Sequence, residues 1–392
     1  MQSFPGGLRF ALVAGEASGD QLGAALIRSL RRRDPAARFC GVAGPKMLAE
    51  GCEAWAPAEE LAVMGLFEVL SHLPRLLRLR GELRRRLRAE RPDVFIGIDA
   101  PEFNLGLARV LRAAGIRTVQ YVSPQVWAWR PGRVRSIGAS VDLVLCLLPF
   151  EEQFYAQAGI RAEFVGHPLA DLIPENNDRA AARRELGLAD RATVAVLPGS
   201  RVGEVSRLGD DFAGAIHWLA GRRQELQFVA PMANEAVHGI FHRALERRAA
   251  GVEVLLLKGK SHQALAAADV VLVASGTATL ETLLTRRPMV VAYRLGMLTA
   301  WLLRTFRLMK APYFSQPNLL AGERIVPELF QEQVSPETLG TELLRELDDS
   351  SVRERQERVF GEIHRRLKRN ASDRAADAIL GLLGHTTTVV TS

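Results

Sequence analysis

The chain has 392 residues, 48% of them hydrophobic and 24% charged, which excludes a disordered chain and corresponds to two domains of ordinary size. Lysine plus arginine (51) exceeds aspartate plus glutamate (44) for a net charge of +7, and five of the basic residues are lysines. Arginine suits phosphates and membrane headgroups, but here it is spread along the chain, which argues against a nucleic-acid-binding protein. Cys40, Cys52 and Cys146 form no C-x-x-C pair, which argues against a disulfide framework or a structural zinc.

The N-terminal residues carry no basic segment ahead of a long apolar core, so no signal peptide is expected. Residues 8–16 predict a strand ending at a glycine, and 18–33 a helix. Further strand-like runs follow at 38–46, 93–101, 118–124 and 142–150, each leading into a helical pattern. Residues 61–88 start strongly apolar and end in dense arginine, as a basic amphipathic helix would. Residues 166–187, with Pro and Asn at their centre, predict a connection between domains that runs into a helix. Alternation then restarts, with strands at 193–201, 226–234, 252–259, 269–276 and 288–294 and helices between them. Residues 335–384 look helical throughout. Apolar runs separated by helices mean parallel sheets covered on both faces. The expected fold is therefore α/β, with two doubly wound Rossmann-like domains facing a cleft: residues 1–168 and residues 169–349. Residues 350–384 are expected to return to the first domain.

Open parallel sheets bind ligands beyond the carboxyl ends of their strands. Four strand-to-helix turns carry chemistry there. AGEASGD (14–20) offers Glu16, Ser18 and Asp20, and IDAPEFN (98–104) offers Asp99, Glu102 and Asn104. LPGSR (197–201) offers Gly199, Ser200 and Arg201, and VASGT (273–277) offers Ser275, Gly276 and Thr277, followed by Glu281. Glycine lets backbone approach a ligand and helix N-termini present free N–H groups, so the last two turns together suggest a nucleotide diphosphate. Helix capping alone is the simpler role for any one of them. Neither turn is a P-loop, AGEASGD does not fit the dinucleotide fingerprint, and His238 and His242 lack the metal-binding glutamate; no metal or cofactor is expected. Asp99 follows the apolar run VFIGI, where partial desolvation would raise its pKa toward that of a general base.

Residues 61–80 and 295–310 are apolar with flanking arginines, too short or too charged to span a bilayer but suited to its interface. In SPQVWAWRPGRVR (123–135), Trp127 and Trp129 alternate with arginines; core tryptophans with Arg130 facing the cleft are the expected outcome. An epimerase or peptidoglycan glycosyltransferase acting on UDP-sugars and a non-catalytic lipid carrier are the competing classes.

Taken in order, AGEASGD, GVAGPKM, VMGLFEVL, IDAPEFN, YVSPQVWAWR, LPFE, GHPLAD, LPGSR, ASGTATLE, MVVAYR and YFSQPNLLAGERIVPEL resemble the lipid-A-disaccharide synthase family, from about residue 8 to about 380. The resemblance implies a GT-B glycosyltransferase fold. It also implies inverting transfer from UDP-2,3-diacylglucosamine to 2,3-diacylglucosamine 1-phosphate, giving the β-1,6-linked disaccharide 1-phosphate and UDP. Asp99 would be the base, with Glu16 as the other candidate. Arg201 and the two glycine turns would stabilise the leaving UDP, Glu281 would bind ribose, and Asn318 would position the donor. Ser18, Asp20, Glu102, Asn104, Trp127 and Arg130 are expected at the acceptor or elsewhere in the cleft. Val63, Met64, Leu66, Phe67, Val69 and Leu70 would meet acyl chains at the cytoplasmic face of the inner membrane. The C-terminal helices would close on their own chain or be exchanged in a homodimer, and no nucleic-acid partner is implied.

Overall fold

The structure, a computed structural model, describes residues 7–61, 66–126, 131–296 and 312–385. The chain forms two compact units, Met1–Asp171 with Leu367–Ser392, and Leu172–Arg366.

The first unit holds a seven-stranded sheet in the order β3-β2-β1-β4-β5-β6-β7. Its strands are β1 (Arg9–Ala14), β2 (Arg38–Ala43), β3 (Glu53–Pro57), β4 (Val94–Ile98), β5 (Arg117–Tyr121), β6 (Leu143–Cys146) and β7 (Ala162–Phe164). Every pairing is parallel, because each crossover carries a helix. Both faces are covered. Phe10, Leu12 and Ala14 of β1 pack into a core with α1 (Glu16–Arg33) and α16 (Ala371–Leu382), while Ala11 and Val13 face a second core. The second core takes Leu79, Leu83 and Leu87 of α3 (Leu66–Glu90) and Leu105, Leu107, Ala108 and Leu111 of α4 (Pro101–Ala113). Residues alternate across a strand, so a continuous apolar run feeds two cores at once.

The second unit repeats the plan with a six-stranded parallel sheet, β10-β9-β8-β11-β12-β13. Here β8 is Thr193–Leu197, β9 Gln227–Met232, β10 Val254–Lys258, β11 Val270–Ala274, β12 Met289–Tyr293 and β13 Glu328–Phe330. Val194 and Val196 of β8 pack against Leu208, Phe212 and Ile216 of α9 (Val202–Ala220) and Leu339 and Leu343 of α14 (Pro336–Asp348).

Three strands, β3, β7 and β13, lie outside the expected set, and each is a sheet edge. The return to the first unit also differs from expectation. Helix α15 (Ser350–Leu367) lies almost wholly in the second unit, and the chain re-enters the first at Leu367 rather than near 350. GHPLAD explains the anchorage. The Asp171 carboxylate accepts from the N–H groups of Arg369 (3.0 Å), Asn370 (2.9 Å) and Ala371 (2.7 Å), and His167 N–H donates to Leu367 O at 2.9 Å. A Cβ at Gly166, whose φ is +95°, would lie 2.8 Å from Leu367 O, so only glycine lets these segments meet. Arg33 then forks onto Asp373 and Asp377 of α16.

Candidate active site

In each sheet the strand order reverses between two neighbours, β1 and β4 in the first and β8 and β11 in the second. Those reversals are where open α/β sheets bind ligands.

At the first reversal the chain leaves three adjacent strands through strained residues. Glu16 (φ 61°) follows β1, Asp99 (φ 52°) and Ala100 (φ 41°) follow β4, and Val122 (φ 76°) follows β5. Left-handed backbone at a non-glycine residue costs about 1–3 kcal/mol and persists only where neighbours over-determine it. Asp99 has such neighbours. Its N–H donates to Tyr121 O (2.9 Å), and its carbonyl accepts from Asn104 Nδ2 (2.8 Å) and Gln120 Nε2 (3.1 Å). The carboxyl group stays half-buried. Burial pushes it above the ordinary carboxylate range, against the pull of the Ala100 N–H, which donates to it. Glu16 is half-buried and Ser18 exposed one strand away, and Gly15 lies against Ala100 and Leu61.

Of the other residues expected at the acceptor or cleft, Asp20 and Asn104 are turned to backbone. Asp20 is buried, and its carboxylate is consumed by the backbone N–H groups of Gly44 (3.0 Å), Lys46 (2.9 Å) and Met47 (2.9 Å). It brackets α2 (Pro45–Ala49) instead of lining an open face. Asn104 is fully buried beneath Asp99, with its amide turned to backbone. Glu102 is exposed and forks onto Arg133 at 2.7 and 3.1 Å. Trp127, Arg130, Val63 and Met64 lie outside the described residues. Leu66, Phe67, Val69 and Leu70 belong to α3, but their side chains are likewise outside what is described. Further along α3, Leu73 and Leu77 are exposed, as are Arg78 and Arg84. At the carboxyl ends of β2 and β3, a hollow of about 290 Å³ is lined by Ala43, Pro45, Leu48, Trp55 and Pro57.

The second reversal is built from glycine. After β8, Gly199 (φ 129°) turns the chain so tightly that a Cβ there would lie 2.6 Å from Glu204 Cβ. Glu204 Oε2 accepts from Ser200 N–H (3.1 Å) and Arg201 N–H (3.4 Å), so two amides of this turn already have an anion. The Arg201 side chain remains 62% exposed, 3.9 Å from Glu204. After β11, Gly276 (φ 148°) precedes α12 (Thr277–Leu284); among the described residues a Cβ on it would meet nothing within 4 Å, and no side chain caps the helix N-terminus. Ser275 N–H donates to Ala292 O (2.9 Å) and its Oγ to Phe314 O (3.3 Å). Burial raises the Glu281 pKa. Asn318, expected at the donor, is instead buried: Oδ1 accepts from Ile325 (2.7 Å) and Val326 (2.9 Å) N–H, and Nδ2 donates to Val326 O (3.1 Å). It ties α13 (Gln316–Ala321) to the strand entry that follows.

Sequence reasoning missed Gln120. Its signal was an amide side chain in the otherwise strand-like run TVQYV, paired in register with Gly97.

Two parallel, doubly wound sheets, each reversing at a central pair of strands, make this a two-Rossmann-domain protein of the GT-B class. The fold matches UDP-GlcNAc 2-epimerase from Neisseria meningitidis bound to UDP-GlcNAc (TM-score 0.63, 11% identity, 95% of this chain and 100% of that one). It also matches the calicheamicin glycosyltransferase CalG4 (TM-score 0.61, 17% identity, 98% and 100%). Residues 10–380 match the family described as lipid-A-disaccharide synthetase. The chain is 55% identical over 379 residues to the lipid-A-disaccharide synthase of Pseudomonas fluorescens (strain Pf0-1), covering 97% of this chain and 99% of that protein. It is 51% identical to that of Alkalilimnicola ehrlichii, covering 96% and 99%. The chain belongs to the lipid-A-disaccharide synthase family.

Proposed function

We propose that the protein joins UDP-2,3-diacylglucosamine to 2,3-diacylglucosamine 1-phosphate, forming the β-1,6-linked disaccharide 1-phosphate and UDP. Family membership over nearly the whole chain supports the reaction, and the strained, half-buried Asp99 carries the chemistry. Asp99 accepts the proton of the acceptor 6-hydroxyl as that oxygen attacks the donor anomeric carbon. The bond from that carbon to the UDP oxygen breaks on the opposite face, so an α donor gives a β product in one displacement. A carboxylate lifted by burial is a better base near neutral pH than an ordinary one.

Negative charge then develops on the departing diphosphate. The N-terminus of α12 at Gly276–Thr277 and the exposed guanidinium of Arg201 meet it. Because Glu204 occupies the Ser200 and Arg201 amides, Arg201 acts there through its side chain. Glu281 is the candidate for the ribose hydroxyls. The second unit thus binds the nucleotide sugar, and the first binds the acceptor.

Both substrates carry acyl chains, which supports work at a membrane surface, in this reading the cytoplasmic face of the inner membrane. Exposed Leu73 and Leu77 beside Arg78 and Arg84, and the hollow under Leu48 and Trp55, support apolar contact on the first unit. No described helix is long and apolar enough to cross a membrane. Reversing the charge of Arg78, Arg80 and Arg84 should weaken binding to anionic liposomes at low salt; unchanged binding rejects the electrostatic contribution.

The decisive assay is mass spectrometry of products from the two acylated sugars. Disaccharide 1-phosphate plus UDP is expected. Turnover of a UDP-sugar without acyl chains, and no disaccharide, would favour an epimerase instead.

A further inference from the structure

We propose that Gln120 and Asn104 are positioning residues that together hold the Asp99 carboxylate in its reactive place. This rests on Asp99 being the general base.

The two side chains are buried from solvent, 1% and 0% exposed. Among the described residues, every hydrogen-bond partner of their NH2 ends is a carbonyl oxygen. Asn104 Nδ2 faces Asp99 O (2.8 Å), Val13 O (3.3 Å) and Ile98 O (3.5 Å). Gln120 Nε2 faces Asp99 O (3.1 Å), Val122 O (3.3 Å) and Tyr121 O (3.5 Å). Surroundings made only of acceptors fix which way each amide points. Asn104 Oδ1 and Gln120 Oε1 are consequently buried with no partner among the described residues. A layout serving only the core would fill these positions with apolar side chains and avoid two orphaned acceptors.

What the orphaned acceptors achieve is convergence on one atom. The amides come from different elements, α4 and β5, and meet at the Asp99 carbonyl, while the Asp99 N–H is held from Tyr121. With both ends of the residue fixed, Asp99 and Ala100 stay left-handed in succession. Gln120 also holds Val122, so one side chain ties together the strained exits of β4 and β5. Gly97 makes room: a Cβ there would lie 2.7 Å from Asn104 Cβ and 3.1 Å from Gln120 Oε1. Without the donors, the turn relaxes toward ordinary backbone and carries the carboxylate away from the acceptor hydroxyl and toward water.

A double-mutant cycle tests this on the full-length enzyme with both acylated substrates. Gln120→Leu should lower kcat about 10²-fold, the loss expected for a displacement of about 1 Å, and leave KM within about twofold. The acidic limb of its pH–rate profile should move to lower pH, because a released Asp99 is better solvated. In an Asp99→Asn background the same change should cost nothing further. Gln120→Met nearly keeps the shape but has no donor at any pH, so it should reproduce the kcat loss even if the leucine variant does not fold; Asn104→Ala should do the same. Full kcat in a folded Gln120→Met, an unmoved acidic limb, or an equal loss with and without Asp99 would overturn the proposal. Asp99→Asn keeping more than about a tenth of turnover would instead reject Asp99 as the base.

Discussion

Both sheets reverse at a central pair of strands, yet the two edges solve the same backbone problem with opposite residue types. In the first unit the tight exits fall on Glu16, Asp99, Ala100 and Val122, all of which carry a side chain in left-handed backbone. In the second, at β8 and β11, they fall on Gly199 and Gly276. Strain held in place by buried amides aims a functional group; glycine removes the side chain so that peptide N–H groups can approach a ligand. Under the proposed reaction, the contrast separates an edge for proton chemistry from an edge for gripping an anion.

That separation can be broken by kinetics. The largest effect should come from Asp99→Asn, with kcat lower by about 10²–10⁴-fold and KM for the UDP-sugar nearly unchanged. In the parent enzyme, burial raises the Asp99 pKa, so the base fills with protons at a higher pH than a solvated carboxylate would; activity should fall as pH drops through that raised value. An acidic limb at the ordinary aspartate position would contradict the burial.

Gly276→Ala should do the reverse. A methyl group there displaces the peptide N–H groups from the diphosphate, so KM for the UDP-sugar and the inhibition constant of UDP should rise roughly 10–100-fold, the loss of one hydrogen bond to a charged group, with a smaller change in kcat; the backbone strain at φ 148° lowers fold stability by about 1–3 kcal/mol. Should Gly276→Ala act mainly on kcat, the division of labour between the edges is wrong.

The smallest catalytic effect belongs to Asp20→Asn. The carboxylate serves three backbone donors, and an amide cannot accept all of them, so stability should drop by about 1–3 kcal/mol in denaturant melts. Turnover per folded molecule should be kept. A large loss of kcat at unchanged stability would return Asp20 to the acceptor side.

Central strands were legible as continuous apolar runs because both their faces are buried. RFALVA, VFIGI, TVAVL and VVLVA could hardly be anything else. The three strands that escaped, EAWAP, AEF and ELF, are short edges with one neighbour each, where half-exposed residues dilute the pattern. The strand-to-helix turns were equally readable, since glycine and acidic residues after an apolar run mark them locally. What a local pattern could not reveal was which polar side chains face inward. Asp20 finds its donors 24 to 27 positions away, Asn318 is spent on the loop that follows it, and Gln120 matters only because β4 lies beside β5. These assignments depend on tertiary neighbours, which spacing along a chain does not encode.

The late return of the chain imposes an order on biosynthesis. Ala375, Ala376 and Ile379 help fill the core beneath β1, although 195 residues of the second unit are translated in between, from Leu172 to Arg366. At about 5–20 residues per second, a ribosome needs on the order of 10–40 s to cross that interval. Through that time the nascent first unit must carry an uncovered apolar face, until the last helix emerges from the exit tunnel and seals it.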